Sequence, residues 1–307
     1  MTKVFIDGSA GTTGLRIFER LSERKDLSLI ILPDEIRKDP SYRKDAINSA
    51  DVAFLCLPDA AAIEAVSLVE NSNTAIIDTS TAHRTAEGWT YGFAELKGQR
   101  EKIAASKRVA NPGCHASGFV SLVTPLVESG ILDKSERLDC ASITGYSGGG
   151  KKMIAEYESE DKDPLLAAPR MYGLSQSHKH LKEMKAICSL ESEPSFLPIV
   201  APFYSGMQVT VSLFKKQING SLKDIQDCYR EYYKSGLVSF CENADENGFM
   251  SALAFSGRDD MQVTVCGNDE RIVLVSRFDN LGKGASGAAI QNMNILLGID
   301  EKTGLVF

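Results

Sequence analysis

The sequence predicts an α/β protein in which a Rossmann-type, doubly wound parallel sheet is joined to a second α+β domain containing an antiparallel sheet. Three observations favour this fold class. In the first third of the chain, short apolar strands alternate with helical patterns, as in parallel sheets. A glycine-rich turn follows the first strand, where such sheets bind nucleotides. In the second half, the strand-rich stretches 196–214 and 261–278 replace this alternation.

The composition is that of a soluble globular protein long enough for two domains. The chain has 307 residues, of which 43% are hydrophobic and 24% are charged. A formal net charge of −7 argues against a nucleic-acid partner. Seven cysteines without a CxxC pair indicate a reducing compartment, and no apolar run approaches the ~18 residues of a membrane span. Because the N-terminus also begins directly with a strand, we expect a cytoplasmic protein without a membrane segment.

The first βα unit contains the glycine-rich turn. An apolar strand at 4–6 precedes the sequence G-S-A-G-T-T-G, and the helical pattern of Leu15, Phe18 and Leu21 follows it. Glycines let the backbone approach a pyrophosphate, whose charge then lies at the helix N-terminus. An ordinary tight turn is the alternative interpretation. The residues expected to bind a dinucleotide here are Gly8, Ser9, Gly11, Thr12, Thr13 and Gly14.

The second strand is predicted at 27–32, and the segment that follows it is informative about the choice of cofactor. An acidic residue about 20 positions after the last glycine usually binds the ribose hydroxyls of NAD. Asp34 fits this spacing, since 34 − 14 is 20. Arg37 and Lys38 could instead hold the additional phosphate of NADP. The residues alone leave both possibilities open.

The next two strands are predicted at 52–57 and 75–78, with a helix at 60–70 between them and Asp59 as its N-cap. Ligands of parallel sheets bind beyond the carboxyl ends of the strands. We therefore expect the features at these ends to line one crevice. They are the glycine-rich turn, the segment 79–84 and the segment 111–115.

The segment 111–115, N-P-G-C-H, is the most informative stretch of the chain. It separates a β-branched run from an apolar, small-residue segment, which predicts strand, sharp turn and helix. Pro112 ends the strand, and Gly113 permits a tight bend. Cys114 then lies in the first helical turn, where N–H groups and the helix dipole lower a thiol pKa. The alternative is a small buried cysteine.

The second half begins with a predicted strand at 138–144. The glycines of 146–151 predict a mobile or anion-facing loop, and the charge-rich segment 151–162 predicts an exposed helix or loop. His178 and His180 precede a predicted helix at 181–190. Two histidines at this spacing could bind a metal, but no third ligand is near, so we expect none.

The remaining segments suggest where the domains divide. A helix is predicted at 221–234, a hairpin turn at 267–270, and a small-residue helix at 285–297 that returns to the first domain. The expected domains are 1–113 with 285–307 for NADP binding, and 114–284 for catalysis and oligomerisation.

Seven segments together resemble the short form of the N-acetyl-γ-glutamyl-phosphate reductases, which are related to the aspartate-semialdehyde dehydrogenases. The most specific of them contains Pro-Gly-Cys, where the aspartate enzymes have Asn-Cys. The histidine segment departs from the commoner His-x-His-Thr-Pro-Glu of the family. The matching segments are 8–14, 78–84, 89–96, 110–114, 147–151, 178–184 and 279–287.

The resemblance implies NADPH-dependent reduction of N-acetyl-γ-glutamyl phosphate to N-acetylglutamate semialdehyde, a step of arginine biosynthesis. Cys114 would form a thioester, and His180 would act as acid/base, with His178 as the second candidate. The N–H of Cys114 and the Asn111 amide would stabilise the oxyanion. The resemblance further implies a homo-oligomer, a dimer or tetramer. The candidate substrate-binding residues are Asn111, Arg84, Arg108 and Lys151.

Other functions remain open from the sequence. The chain could reduce another acyl phosphate, such as aspartyl phosphate. It could also be a non-catalytic NADP-binding regulator whose Cys114 senses redox state. A cysteine hydrolase would leave the glycine-rich turn without a role.

Overall fold

The structure, a computed structural model, describes residues 1–307 and divides the chain into two units. The first consists of Met1–Ala94, Gly98–Pro112 and Ala285–Leu305, and the second of Glu95–Lys97, Gly113–Gly284 and Val306–Phe307. The assignment of cofactor binding to one part and of catalysis and oligomerisation to the other stays a prediction.

The chain contains thirteen strands and nine α-helices. The strands are β1 Thr2–Asp7, β2 Leu27–Ile30, β3 Val52–Leu55, β4 Ala75–Asp78, β5 Thr90–Tyr91, β6 Arg108–Ala110, β7 Asp139–Gly145, β8 Arg170–Met171, β9 Ser195–Ala201, β10 Met207–Phe214, β11 Val238–Phe240, β12 Met261–Asn268 and β13 Arg271–Phe278. The helices are α1 Thr12–Ser22, α2 Pro40–Ser49, α3 Asp59–Ser67, α4 Gln99–Ala104, α5 Cys114–Glu128, α6 Gly150–Glu158, α7 His180–Ile187, α8 Leu222–Tyr232 and α9 Gly287–Leu296. None of these helices combines the length and apolar character needed to cross a membrane.

The first unit is built on a six-stranded parallel sheet with the order β2-β1-β3-β4-β6-β5. Alternate residues of its central strands enter two different cores, as a sheet buried on both faces requires. On one face Val52 and Phe54 pack in the core that includes α1 and α9, whereas Ala53 and Leu55 pack in the core that includes α2 and α3. The predicted doubly wound parallel sheet is confirmed.

Two local predictions in this unit differ from the structure, and one helix was missed. Leu15 of α1 is 42% exposed, and Ile17 is buried in its place. Asp59 is not an N-cap, because Pro58 occupies that position and the Asp59 carboxylate accepts the Thr81 N–H at 2.8 Å. Helix α2 was not predicted, although Asp39 is its N-cap and a proline is its first residue.

The second unit is built on a seven-stranded sheet with the order β11-β12-β13-β10-β7-β9-β8. It is mixed: β7–β9 and β11–β12 are parallel pairs, and the other four pairs are antiparallel. Helix α5 packs against β10 and β13 so closely that a Cβ on Gly118 would lie 2.3 Å from Cγ2 of Val209. This contact explains why the segment after Cys114 consists of small and apolar residues.

The predicted elements of this unit are mostly found. The hairpin turn between β12 and β13 pairs Asn268 with Arg271, and Ser221 caps α8 through Asp224. The predicted loop at 146–151 is wrong, because Tyr146–Gly149 form a 3₁₀ helix that continues into α6.

Candidate active site

Cys114 is the first residue of α5, which follows β6 after the turn 111–113. The predicted order of strand, turn and helix is confirmed. The Gly113 N–H donates a hydrogen bond to Oε1 of Glu183 at 2.8 Å, so a buried carboxylate of α7 holds the turn beside the thiol. The Cys114 side chain therefore lies at the N-terminus of a 15-residue helix, whose N–H groups stabilise negative charge.

Three histidines form a cluster next to this turn. His115 follows Cys114, and its ring centroid lies 5.7 Å from that of His178 and 5.5 Å from that of His180. The rings of His178 and His180 are 4.7 Å apart, and the Nδ1 of His178 accepts the backbone N–H of His180 at 3.2 Å. The structure thus brings both predicted histidines to the residue that follows Cys114. No group of three or more His, Cys, Asp or Glu side chains is arranged to hold a metal ion.

His115 is a member of the cluster that the sequence did not single out. Its Nδ1 lies 2.7 Å from Oγ of Ser142, and its Nε2 lies 2.7 Å from the hydroxyl of Tyr172. Burial, with a smaller contribution from His178, lowers the pKa of His115 to about 3. The imidazole is therefore neutral at physiological pH and serves as a hydrogen-bonding group.

Tyr172 is the second member that sequence reasoning missed. Burial raises the pKa of its hydroxyl, and the negative charge of the Cys114 thiolate raises it further. The hydroxyl therefore stays protonated within electrostatic reach of the cysteine. Only the position of His115 next to Cys114 could have indicated this network, because Tyr172 has no local sequence signal.

The glycine-rich turn of the first unit requires glycine at positions 8 and 14. Gly8 has φ +86°, and a Cβ there would lie 2.3 Å from the Cys56 carbonyl oxygen. A Cβ on Gly14 would lie 2.4 Å from the Gly8 oxygen. The Gly11 N–H donates to that same oxygen at 3.0 Å, and Gly11 is the N-cap of α1. This geometry fits a backbone that approaches a pyrophosphate at a helix N-terminus.

The turn borders a cavity of about 450 Å³. Five of the predicted cofactor-binding residues line this cavity: Gly8, Ser9, Gly11, Arg37 and Lys38. Thr12, Thr13 and Gly14 form the first turn of α1. Asp34 does not line the cavity, and its exposed carboxylate pairs with Nε of Arg37 at 3.2 Å.

Arg43 of α2 is a third cation at this cavity, and the sequence analysis missed it together with its helix. The side chain is buried, and it forms ion pairs with Asp7 at 2.9 Å and with Glu64 at 3.4 Å. Burial raises the pKa of Asp7, and Arg43 opposes this effect. The cavity therefore has three cations in its lining, of which Arg43 is already paired with carboxylates.

Two predicted substrate residues bond instead to the protein itself. Asn111 is almost fully buried; its Nδ2 donates to the Ala285 oxygen at 3.0 Å, and its Oδ1 accepts from Asn292 at 3.1 Å. Arg84 is also buried and donates to the carbonyl oxygens of Asn111 and Thr79, at 2.9 and 3.2 Å. These bonds hold the loops at the carboxyl ends of β4 and β6, which indicates a positioning role.

The other two predicted substrate-binding cations are Arg108 and Lys151, and their role toward the substrate stays a prediction. Arg108 is the first residue of β6 and therefore lies at the amino end of its strand, where it donates to the carbonyl oxygens of Thr74 and Lys107. Because ligands of parallel sheets bind at the carboxyl ends, this position does not support a role as substrate clamp. Lys151 is exposed in the first turn of α6.

A buried pair at the carboxyl end of β4 was also missed. Nδ1 of His83 lies 2.6 Å from Oδ2 of Asp78, and the His83 ring stacks on Trp89 with a centroid distance of 4.1 Å. The Asp78 carboxylate also accepts the N–H and hydroxyl of Ser80. These contacts give the segment 78–84 a fixed conformation.

Comparisons with known proteins agree with this architecture. A family model described as the NAD binding domain of semialdehyde dehydrogenase matches residues 33–106, and one described as its dimerisation domain matches residues 114–280. The chain is 46% identical to N-acetyl-gamma-glutamyl-phosphate reductase 2 of Nostoc sp., over 99% of both chains. It is 45% identical to N-acetyl-gamma-glutamyl-phosphate reductase of Brucella ovis, over 96% of this chain and 99% of that one.

Solved structures with this fold are more distant in sequence. Aspartate semialdehyde dehydrogenase II of Vibrio cholerae superposes with a TM-score of 0.73 over 97% of this chain and 98% of that one, at 16% identity. Aspartate semialdehyde dehydrogenase of Candida albicans, solved with NADP, gives a TM-score of 0.67 over 97% and 99%, also at 16% identity. At this identity the likeness concerns the fold alone.

Proposed function

The chain belongs to the N-acetyl-γ-glutamyl-phosphate reductases, and from that membership we propose that it reduces N-acetyl-γ-glutamyl phosphate to N-acetylglutamate semialdehyde in arginine biosynthesis. The observation that supports this most directly is Cys114 at the N-terminus of α5, beside a cluster of histidines. A helix N-terminus favours the thiolate, and a thiolate is a good nucleophile toward an acyl phosphate.

In the proposed reaction the Cys114 sulfur attacks the acyl carbon of the substrate. The new C–S bond forms, the C–O bond to phosphate breaks, and phosphate leaves with the bonding electrons. When bound, the nicotinamide cofactor supplies the hydride that reduces the thioester. The C–S bond then breaks, Cys114 recovers its electron pair, and the aldehyde is released. N–H groups at the N-terminus of α5 stabilise the oxyanion of each tetrahedral state.

We assign the acid/base role to His180, with His178 as the alternative. His180 is buried at the start of α7, and His178 is half-buried and accepts the His180 N–H. His115 does not suit this role, because its pKa near 3 leaves it neutral and both its nitrogens bond to neighbouring hydroxyls. A general base requires a pKa closer to the working pH.

The nicotinamide cofactor proposed here is NADPH. Support comes from Arg37 and Lys38, which line the cavity at the glycine-rich turn. Support also comes from Asp34, which pairs with Arg37 outside that cavity. A cation pair suits a phosphate, whereas a carboxylate in the same place would suit ribose hydroxyls. The first unit would thus be the cofactor-binding domain.

We propose that the second unit mediates a homo-oligomer, a dimer or tetramer, through the face of its sheet opposite α5. Ile143, Leu197, Ile199 and Val273 lie on that face, and each remains at least partly exposed. The match of residues 114–280 to a dimerisation domain supports this. Light scattering should give a mass of two or more chains, and Ile199→Lys should lower it.

The proposed compartment is the cytoplasm. All seven cysteines are outside disulfides, which suits a reducing environment. Fractionation of the native cells should place the protein with the soluble reducing compartment; recovery in an oxidising compartment would contradict the proposal.

The function is tested by running the reaction backwards. The protein is mixed with N-acetylglutamate semialdehyde, phosphate and NADP⁺, and the absorbance of NADPH is followed. We expect sustained formation of NADPH only when phosphate is present, because the hydride is transferred first and phosphate must then cleave the thioester to free Cys114 for another turnover. Faster turnover of aspartate semialdehyde would identify aspartyl phosphate as the substrate instead. The absence of turnover with either aldehyde would contradict the proposed activity.

A further inference from the structure

A chain of hydrogen-bonding groups leads from the sheet of the second unit through His115, the residue after Cys114, to Tyr172. It runs from Ser142 in β7, through His115, to the hydroxyl of Tyr172, and each of its two contacts is 2.7 Å long. Ser142 and His115 are buried, whereas Tyr172 is half-buried. A neutral imidazole has one N–H and one lone pair, so this chain has a direction.

The Ser142 hydroxyl determines that direction. It is fully buried, and the Nδ1 of His115 is its hydrogen-bond partner. If Nδ1 carried the proton, the imidazole would donate to Oγ and the buried Ser142 O–H would have no acceptor, which is costly. Ser142 therefore donates to Nδ1, and the proton of His115 is on Nε2.

The same reasoning applies to Tyr172. With the proton on Nε2, His115 donates to the Tyr172 oxygen at 2.7 Å. The phenol then directs its own hydrogen elsewhere, and His115 is its protein partner in the structure. Cys114 directly precedes His115 in α5, and the charge of its thiolate raises the pKa of Tyr172, so the phenol that His115 holds lies within electrostatic reach of the reacting sulfur.

We propose that His115 is a positioning residue of the reaction: its Nε2–H, held by Ser142, orients the Tyr172 hydroxyl as a hydrogen-bond donor to the oxyanion of the substrate bound to Cys114. The inference rests on the proposed function. Tyr172 keeps its proton throughout, so no proton or electron is transferred in this interaction. The preorganised donor stabilises charge that develops only in the tetrahedral states.

The tautomer can be measured without turnover. The chain has four histidines, so long-range ¹H–¹⁵N correlation spectra of ¹⁵N-histidine-labelled protein can be assigned with His83→Gln, His115→Gln, His178→Gln and His180→Gln variants. We expect His115 to carry its proton on Nε2 from pH 6 to 9, without titration. A proton on Nδ1, or an imidazolium in that range, would overturn the proposal.

A double-mutant cycle separates positioning from general stabilisation. Tyr172→Phe and His115→Leu should each lower kcat by roughly 10²-fold with little change in KM, because each removes the oriented donor. In the Tyr172→Phe background, His115→Leu should have almost no further effect. His115→Gln keeps an N–H donor near the Nε2 position and should recover much of the activity.

Two outcomes are contrary to expectation. Additive losses in the cycle would mean that His115 acts independently of Tyr172 and would refute the positioning role. Failure of the wild-type protein to reduce the acyl phosphate would instead refute the proposed function, and the tautomer measurement keeps the two failures distinguishable. Thermal unfolding of each variant checks that it is folded.

Discussion

The Cβ of Cys114 lies 2.9 Å from the position that a Cβ on Gly284 would occupy. Real Cβ atoms essentially never approach so closely. Gly284 belongs to a turn of π-helix, Gly282–Ser286, that precedes α9, and such turns are frequent at functional sites. The glycine therefore leaves room for the nucleophile at the start of α5.

We predict that Gly284→Ala displaces Cys114. Loss of alignment on the order of an ångström can lower kcat by about 10²-fold. The rate of thiol alkylation should change as well. Gly148→Ala is a matched control, because its Cβ would meet only ordinary contacts at 3.5 Å and should leave the alkylation rate unchanged. Unaltered kcat in Gly284→Ala would show that the site tolerates the extra methyl group.

Cys114 should be the first cysteine to react with iodoacetamide near pH 7.5. Burial raises the pKa of Cys56 to about 12 and that of Cys188 to about 12, and it raises the pKa of Cys140 further, so these thiols are not ionised at that pH. The position of Cys114 at a helix N-terminus favours its thiolate. Peptide mass spectrometry after brief labelling checks the order, and bound substrate should protect the thiol.

Cys114→Ser should abolish turnover while leaving the fold and NADPH binding intact. The hydroxyl is far less ionised than the thiol, and an ester accepts hydride less readily than a thioester. Near wild-type activity would rule out covalent thioester chemistry. Loss of NADPH binding together with activity would identify a structural cysteine instead.

His180→Asn should lower kcat by roughly 10²- to 10⁴-fold, because general acid/base catalysis contributes on that scale. His178→Asn should have a much smaller effect, since His178 is the more exposed of the two and accepts the His180 N–H. Steady-state kinetics of both variants provide the comparison, and the reverse ranking would transfer the role to His178.

Replacing Arg37 and Lys38 with Ala should weaken NADPH binding far more than NADH binding. Each lost charge-assisted contact costs roughly 1.5–3 kcal/mol, with the lower end expected for Arg37 because its side chain is 36% exposed and paired with Asp34. Fluorescence titration with both cofactors measures the difference. Equal weakening of both would argue for Asp34 as the ribose ligand of NAD.

Because buried His115 resists protonation, we expect the protein to be less stable in mild acid than at neutral pH. Its folded pKa is about 3, below the value of 6.5 for an unperturbed histidine, so between these values the unfolded chain binds the additional proton. The contribution of neutral His115 to the free energy of unfolding is therefore complete above pH 6.5, and it decreases as the pH falls from 6.5 toward 3. At pH 5 the loss should be about 2 kcal/mol. Denaturant unfolding at pH 7 and pH 5 should show a smaller difference for His115→Gln, and an equal difference would contradict this account.

Local sequence was sufficient to predict elements whose signals are local. Pro112 and Gly113 end β6 and permit the turn that places Cys114 at the start of α5. The spacing of Gly8 and Gly14 anticipates close backbone approaches that the structure contains. Helix α2 was missed because its polar composition gives no apolar period, although its Asp39-Pro40 start was visible.

By itself the sequence determined the fold class, the glycine-rich turn and the cysteine, because each depends on backbone preferences within a few neighbouring residues. The partners of the two residues that flank this cysteine, Gly113 and His115, were decided only by the tertiary structure. Glu183 bonds to Gly113 across 70 residues, and Tyr172 bonds to His115 across 57. Such contacts arise when α5 packs against α7 and against the sheet that ends in β8, and no local pattern encodes which polar groups then meet. The same packing buries Asn111 and Arg84 and bonds them to neighbouring backbone and side-chain groups, which the sequence alone did not reveal; their role toward the substrate stays a prediction.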